Sequence, residues 1–482
     1  AGRDKEVTFQ NLALTGTGAG NYTVKEARGV GTIYPKELDL TLTSSARFDK
    51  TYDGNANVTQ SLAKGTHYTL DGFVGTEGTG IALAPSTGTY SDKNAAADKT
   101  VTFNGLTLTG AGAGNYTLNK STLTGIGTIL RRALTLGAVA AQSKTYDGTT
   151  AADASKFGAA LTNAIAGDDV KATATGAAYN DKNVAGASRI DYTGVGLRGA
   201  DAGNYTLAAT TAQGAGTISR RTLTVGTVAA QSKTYDGTTA ADTSKFHATL
   251  NNVVAGEEGS VTASAAGASY NDKNVAAANK VSYTGLALQG AGAGNYSIAN
   301  TAQGAGRITP KQLNLALTSG ARFDKTYDGT ANVTQSLTKG TNYTLTGFVG
   351  TEGDHLALAA ATGTYTAGKD AGTDKEVTFK NLTLTGTGAG NYTLDTNALT
   401  GIGTIARRAL TLGAVAAQTK TYDGTTAADA SKFGAALNNA VAGDSVTATA
   451  TGAAYNDKNV AAANRIDYTG VALAGADAGN YT

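Results

Sequence analysis

Apolar and polar residues alternate along this chain in short runs, and Gly, Asn or Asp interrupts each run after about ten residues. In "RIDYTGVGLRG" (189–199), Ile190 and Tyr192 share one parity and Val195 and Leu197 the other, so the phase slips once. The same slip separates Val7 and Phe9 from Leu12 and Leu14, Val101 and Phe103 from Leu106 and Leu108, and Val281 and Tyr283 from Leu286 and Leu288. It returns between Val377, Phe379 and Leu382, Leu384, and between Ile466, Tyr468 and Val471, Leu473. Asn11, Gly105, Gly194, Gly285, Asn381 or Gly470 stands just before each second pair. These residues tolerate the positive φ that a bulge or a sheet-changing kink requires. Alternation of this kind predicts half-buried strands. For 131–219 they fall near 133–139, 143–146, 157–162, 169–179, 188–199, 204–209 and 215–219. Dense Thr, Val and Ile, with Gly every few residues, weigh against helix.

The pattern is periodic. Tyr-Asp-Gly occurs at Tyr52-Asp53-Gly54, Tyr146-Asp147-Gly148, Tyr235-Asp236-Gly237, Tyr327-Asp328-Gly329 and Tyr422-Asp423-Gly424, at spacings of 94, 89, 92 and 95 residues. Gly-Asn-Tyr ends at Tyr22, Tyr116, Tyr205, Tyr296, Tyr392 and Tyr481. Between them lies "YSDKN" at Tyr90 or "YNDKN" at Tyr179, Tyr270 and Tyr455; the run at Tyr365 departs as "YTAGKD". Each unit closes on Gly-x-Ile and reopens within a few residues. The cuts give a partial repeat at 1–34, whole repeats at 35–130, 131–219, 220–309 and 310–406, and a repeat at 407–482 without its last strand. Units entered through Pro35-Lys36 or Pro310-Lys311 are long and carry "GFVGTEG". Those entered through Arg131-Arg132, Arg220-Arg221 or Arg407-Arg408 are short. Both ends fall inside a repeat, as in a window on a longer array.

Seven short strands in about 90 residues predict an all-β fold of tandem Ig-like β-sandwiches. A parallel β-helix would repeat every ~20–25 residues instead. Junctions this short predict stiff end-to-end stacking, hence a rod.

Composition narrows the function. The chain has no Cys, so neither a disulfide nor a thiolate site is available, and no Met or Trp. With 39 basic and 37 acidic residues spread evenly, no basic track for nucleic acid stands out. No run approaches the ~18 apolar residues of a membrane span. His67, His247 and His355 occupy unrelated places in their units, so no histidine centre repeats. "TGAGAGNYTL" (109–118) resembles a phosphate loop only in its glycines, because a strand rather than a helix follows.

The repeated triplet reads as a turn: Asp bonds nearby backbone N–H groups, Gly accepts positive φ, and the tyrosine plugs the core or its rim. Asp147 and Asp181 are the calcium candidates, although calcium takes roughly six to eight oxygens and no Asp-x-Asp-x-Asp cluster accompanies them. Lys144 and Asn204 are candidates for an amide crosslink, which would expel one ammonia and lower the intact mass accordingly. No catalytic centre or cofactor is expected: an enzyme needs one pocket, whereas copying lengthens a spacer or multiplies a weak contact.

"KTYDGTT", "YNDKNVA" and "GADAGNYTL" resemble the YDG and related bacterial Ig-like (MBG) repeats of large Gram-negative surface and secreted proteins, including filamentous-haemagglutinin-type adhesins exported by two-partner secretion. The resemblance covers essentially the whole chain. It implies extracellular display and a stalk or adhesive role in attachment, aggregation or biofilm. The expected partners are a host, neighbouring-cell or matrix surface, including glycan. The alternatives are a glycan-binding array acting by avidity and self-association into filaments.

Overall fold

The computed structural model describes residues 1–482. The chain forms two compact units, Ala1–Thr222 together with Gly294–Ser297, and Leu223–Ala293 together with Ile298–Thr482. Both are built from strands and single 3-10 turns.

Residues 131–219 show how a repeat is made. Strand Arg132–Val139 lies between Ala159–Thr162, antiparallel, and Tyr205–Leu207, parallel. A four-stranded sheet runs in the order Gln142–Thr145, Thr211–Ser219, Arg189–Thr193, Gly176–Tyr179. A third pair joins Lys171–Thr173 to Gly196–Arg198. The first two strands thus pair in parallel with the last two, with Arg132 opposite Tyr205 and Lys144 opposite Ile218, which ties the two ends of the repeat together. Residues 310–406 repeat this arrangement, with Lys311–Leu317 between Tyr343–Thr346 and Tyr392–Leu394.

Nine strands stand where seven are predicted, because two of the predicted strands divide between sheets. Span 169–179 breaks before Gly176, and span 188–199 breaks at Gly194. Arg189–Thr193 belongs to the four-stranded sheet and Gly196–Arg198 to the separate pair, so the phase slip is a change of sheet. All six residues at the slips have positive φ: Asn11 55°, Gly105 60°, Gly194 59°, Gly285 64°, Asn381 56° and Gly470 61°. A Cβ at Gly105 would meet nothing within 4 Å, so there the constraint is purely conformational. Gly105→Ala should therefore cost about 1–2 kcal/mol in thermal or denaturant unfolding, and Gly105→Asn clearly less.

Alternation fills the core. Ile190, Tyr192 and Ile218 are buried, as are their counterparts Val281, Tyr283 and Ile308. In the first unit a buried cluster fills repeat 35–130 from Leu38 to Ile129 and reaches across the junction to Leu134 and Tyr205 of repeat 131–219. In the second unit it runs from Tyr235 to Tyr481. One residue, Arg131, separates strand Leu123–Leu130 from Arg132–Val139, and Pro310 likewise separates Thr301–Thr309 from Lys311–Leu317. Among the partial repeats, 1–34 is an antiparallel strand pair, Gly2–Gln10 with Glu26–Ile33, and is mostly exposed.

Candidate functional site

The Tyr-Asp-Gly turn is held first by the lysine two residues before its tyrosine. Lys144 Nζ donates to Asp147 Oδ1 at 2.7 Å and to the carbonyls of Thr149 and Ala151 at 2.8 and 2.9 Å. Its ammonium also lies 5.2 Å from the ring centre of Tyr179, the tyrosine of the middle motif. Lys50, Lys233, Lys325 and Lys420 make the same set of bonds in their own repeats. Asp147 Oδ1 also accepts from the Thr149 N–H at 3.0 Å, and Gly148 takes φ 80°. The expected Asx turn is therefore closed by an ion pair.

With its base pinned, the tyrosine points onward into the next repeat. Tyr52 donates its hydroxyl to Asp168 Oδ2 at 2.8 Å, and Tyr205, of the Gly-Asn-Tyr motif, donates to the same oxygen at 2.6 Å. The two rings meet edge to face at 5.4 Å, a favoured aromatic geometry. The pattern recurs twice in the second unit. Tyr235 and Tyr392 clamp Glu352 at 2.7 and 2.6 Å, and Tyr327 and Tyr481 clamp Asp444 at 2.7 and 2.6 Å. The triplet glycine leaves room: a Cβ on Gly54, Gly237 or Gly329 would come within 3 Å of Ile165, Val349 or Val441 of the next repeat. Within that repeat, the backbone N–H of the same Ile or Val donates to the second tyrosine of the clamp.

The asparagine of Gly-Asn-Tyr completes the junction. Asn204 Oδ1 accepts from the backbone N–H of Ala95 at 2.8 Å, and its Nδ2 donates to Asn94 at 3.2 Å. Asn391 bonds Val275 and Asn274 in the same way, and Asn480 bonds Ala371 and Asp370.

Burial and these bonds set the protonation states. Burial, and then the hydrogen bond to the carboxylate, pushes Tyr205, Tyr327 and Tyr392 up to about 12. Burial alone would raise Asp168, but the hydroxyls of Tyr205 and Tyr52 with the Lys93 ammonium hold it below the usual carboxylate range. Asp444 is held low chiefly by the Tyr481 hydroxyl, against burial. The signs differ at the two ends of the pH scale. The tyrosines' folded values exceed the unfolded value of about 10, so their stabilisation is complete below about pH 10 and is lost as pH climbs toward 12. The carboxylates contribute fully above about pH 3.9 and lose that contribution as pH falls through their lower folded values. An alkaline titration followed by tyrosinate absorbance should show a class of tyrosines ionising near pH 12, together with loss of folded signal.

Other residues singled out in the sequence are placed as follows. Asp147 is engaged by Lys144 and Thr149, and Asp181 by the N–H and side chain of Asn183. No group of three or more His, Asp or Glu side chains gathers to hold a metal. Lys144 sits in its own turn while Asn204 faces Asn94 and Ala95 of the preceding repeat, so the two crosslink candidates are not brought together. The 109–118 glycines form a 3-10 turn, Ala113–Asn115, leading into strand Tyr116–Leu118. Tyr422 is 58% exposed, whereas Tyr52, Tyr146, Tyr235 and Tyr327 are buried.

Sequence reading missed the acids Asp168, Glu352 and Asp444. The signal that finds them is a Val or Ile three before an acid, once per repeat: Val74/Glu77, Ile165/Asp168, Val254/Glu257, Val349/Glu352 and Val441/Asp444.

Comparison with known proteins adds the family. No curated protein matches the chain. Among solved structures, the extracellular cadherin domains 1–5 of protocadherin gamma B2 align over 85% of this chain and 78% of that one, at 7% identity and a TM-score of 0.18. Domains 4–9 of the surface layer protein SbsC align over 92% and 78%, at 11% identity and a TM-score of 0.15. Scores at this level describe no shared arrangement. The model of the YDG domain matches residues 34–124, 130–212, 219–304, 309–399 and 406–482. Five copies along nearly the whole length make this chain a member of the YDG domain family.

Proposed function

We propose that this chain is the spacer region, or stalk, of an extracellular bacterial fibre or adhesin, supporting attachment, aggregation or biofilm formation. The observation that carries the reading is the tyrosine–carboxylate–tyrosine clamp, built from the same motif positions in three pairs of adjacent repeats. A chain selected to bind through each repeat gains nothing from burying its most regular residues between repeats; a spacer gains resistance to bending. The extracellular setting rests on the resemblance of "KTYDGTT" and "GADAGNYTL" to surface-protein repeats.

The test is to display the chain on a bacterial surface with a reporter at its tip and remove one or two whole repeats. A spacer lowers the tip in proportion to the repeats removed and leaves the reporter's own binding unchanged. A glycan-binding array instead loses binding to cells or glycan surfaces as repeats are removed, and that result would replace the spacer reading.

A further inference from the structure

The short-type repeats carry two different acid sets. Repeats 131–219 and 407–482 hold Asp168 with Asp201 and Asp444 with Asp477, and each follows a long-type repeat. Repeat 220–309 has Glu257 and Gly292 at these places and follows a short-type repeat. The acid changes with the neighbour although the repeat type does not.

The geometry gives a reason. In the Asp set both tyrosines donate to one oxygen, Oδ2, which leaves Oδ1 facing a lysine of the preceding repeat. Lys93 lies 3.5 Å from Asp168 and 3.4 Å from Asp201, and Lys369 lies 3.2 Å from Asp444 and 3.7 Å from Asp477. The second Asp also fixes the loop bearing the first, accepting from the N–H of Asp169 at 3.0 Å and of Ser445 at 2.9 Å. A glutamate socket is wired differently. Glu352 gives Oε1 to Tyr235 and Oε2 to Tyr392, so each oxygen already holds a hydroxyl. Gly388, in the place of the second Asp, has φ 86°, a conformation that disfavours any side chain there. Lys273 of the preceding short-type repeat lines a cleft beside Glu352 and His355 without pairing with an acid.

The two lysines are also reached by different sequences. Lys93 stands three residues after Tyr90 in "YSDKN", and Lys369 stands four after Tyr365 in "YTAGKD". The middle motif departs, yet its ammonium arrives at the same pair of carboxylates.

We propose that the paired aspartates are a matching surface that fits a repeat to a long-type predecessor, while glutamate with glycine, as at Glu352 and Gly388, fits one to a short-type predecessor. The order of repeats is thereby specified at these junctions, whatever the array is used for.

Hydrogen exchange in the full chain tests this, read at the amides of Val441 and Ala371, which bond Tyr481 and Asn480. Asp444→Glu with Asp477→Gly, in the native order, should speed exchange at both amides about tenfold or more. The Ala95 amide, bonded to Asn204 in the other Asp junction, should keep its rate and report that the chain is folded. A second chain exchanges segments 220–309 and 310–406, placing 407–482 after a short-type repeat. With the aspartates retained, Val441 should exchange fast, and with the same two substitutions it should regain protection. Unchanged protection in the substituted native-order chain, or equal protection by both acid sets in the exchanged chain, overturns the matching rule.

Discussion

Tyr327→Ala is expected to destabilise repeats 310–406 and 407–482 by about 3–5 kcal/mol, the range for deleting a buried aromatic side chain, whereas Tyr422→Ala should cost less than about 1 kcal/mol. The two tyrosines stand in the same triplet, and local turn chemistry alone gives them the same value. Their surroundings differ. Tyr327 is fully buried, its ring lies 5.3 Å from Tyr481, and its hydroxyl donates to Asp444. Removing it leaves a carboxylate whose side chain is 4% exposed with one donor fewer, which adds to the loss of apolar burial. Tyr422, with no repeat after its own within residues 1–482, is 58% exposed there, and its ring has little burial to lose. Denaturant unfolding of the full chain, with hydrogen exchange to assign the affected repeat, checks the contrast. Equal costs would return the triplet to being a turn alone.

The second large effect belongs to the lysine beneath the turn. Lys50→Met should cost about 3–5 kcal/mol, as breaking a buried ion pair from one side generally does. The Lys50 side chain is 3% exposed, and its ammonium serves Asp53 at 2.7 Å and the carbonyls of Asn55 and Asn57 at 2.8 Å each. Methionine matches the volume and supplies none of these donors, so the loop loses three partners at once. The equivalent Lys144→Met should cost less, since that side chain is 17% exposed and water can reach the vacated acceptors. Thermal unfolding of the two variants side by side gives the order, and the larger loss must fall on Lys50.

Much of the fold is legible in the sequence because it depends on local rules. The positions where alternation slips all take positive φ, from Asn11 to Gly470, a conformation that Gly and Asn enter cheaply. The Asp-Gly turn is equally local. The division of 169–179 into two strands is not: "KATATGAAY" alternates small residues with little to mark a break, and which half pairs with which sheet depends on strands far away in sequence. The candidate site was hidden for a related reason. A tyrosine that fills its own core and one whose hydroxyl crosses to a neighbour follow the same pattern, and the acid it meets lies 116 or 117 residues further on. That acid is Asp in some repeats and Glu in others, in loops of unequal length, so it does not align by eye as Tyr-Asp-Gly does.

The Tyr-Asp-Gly tyrosine is predicted to act on the repeat after its own. A double-mutant cycle in the full chain, Tyr327→Phe against Asp444→Asn, tests it most directly, with the stability of residues 407–482 read by hydrogen exchange. The prediction is a coupling of about 1–3 kcal/mol between residues that belong to different repeats. Additive effects, within about 0.3–0.5 kcal/mol, would mean that the tyrosine serves its own repeat alone.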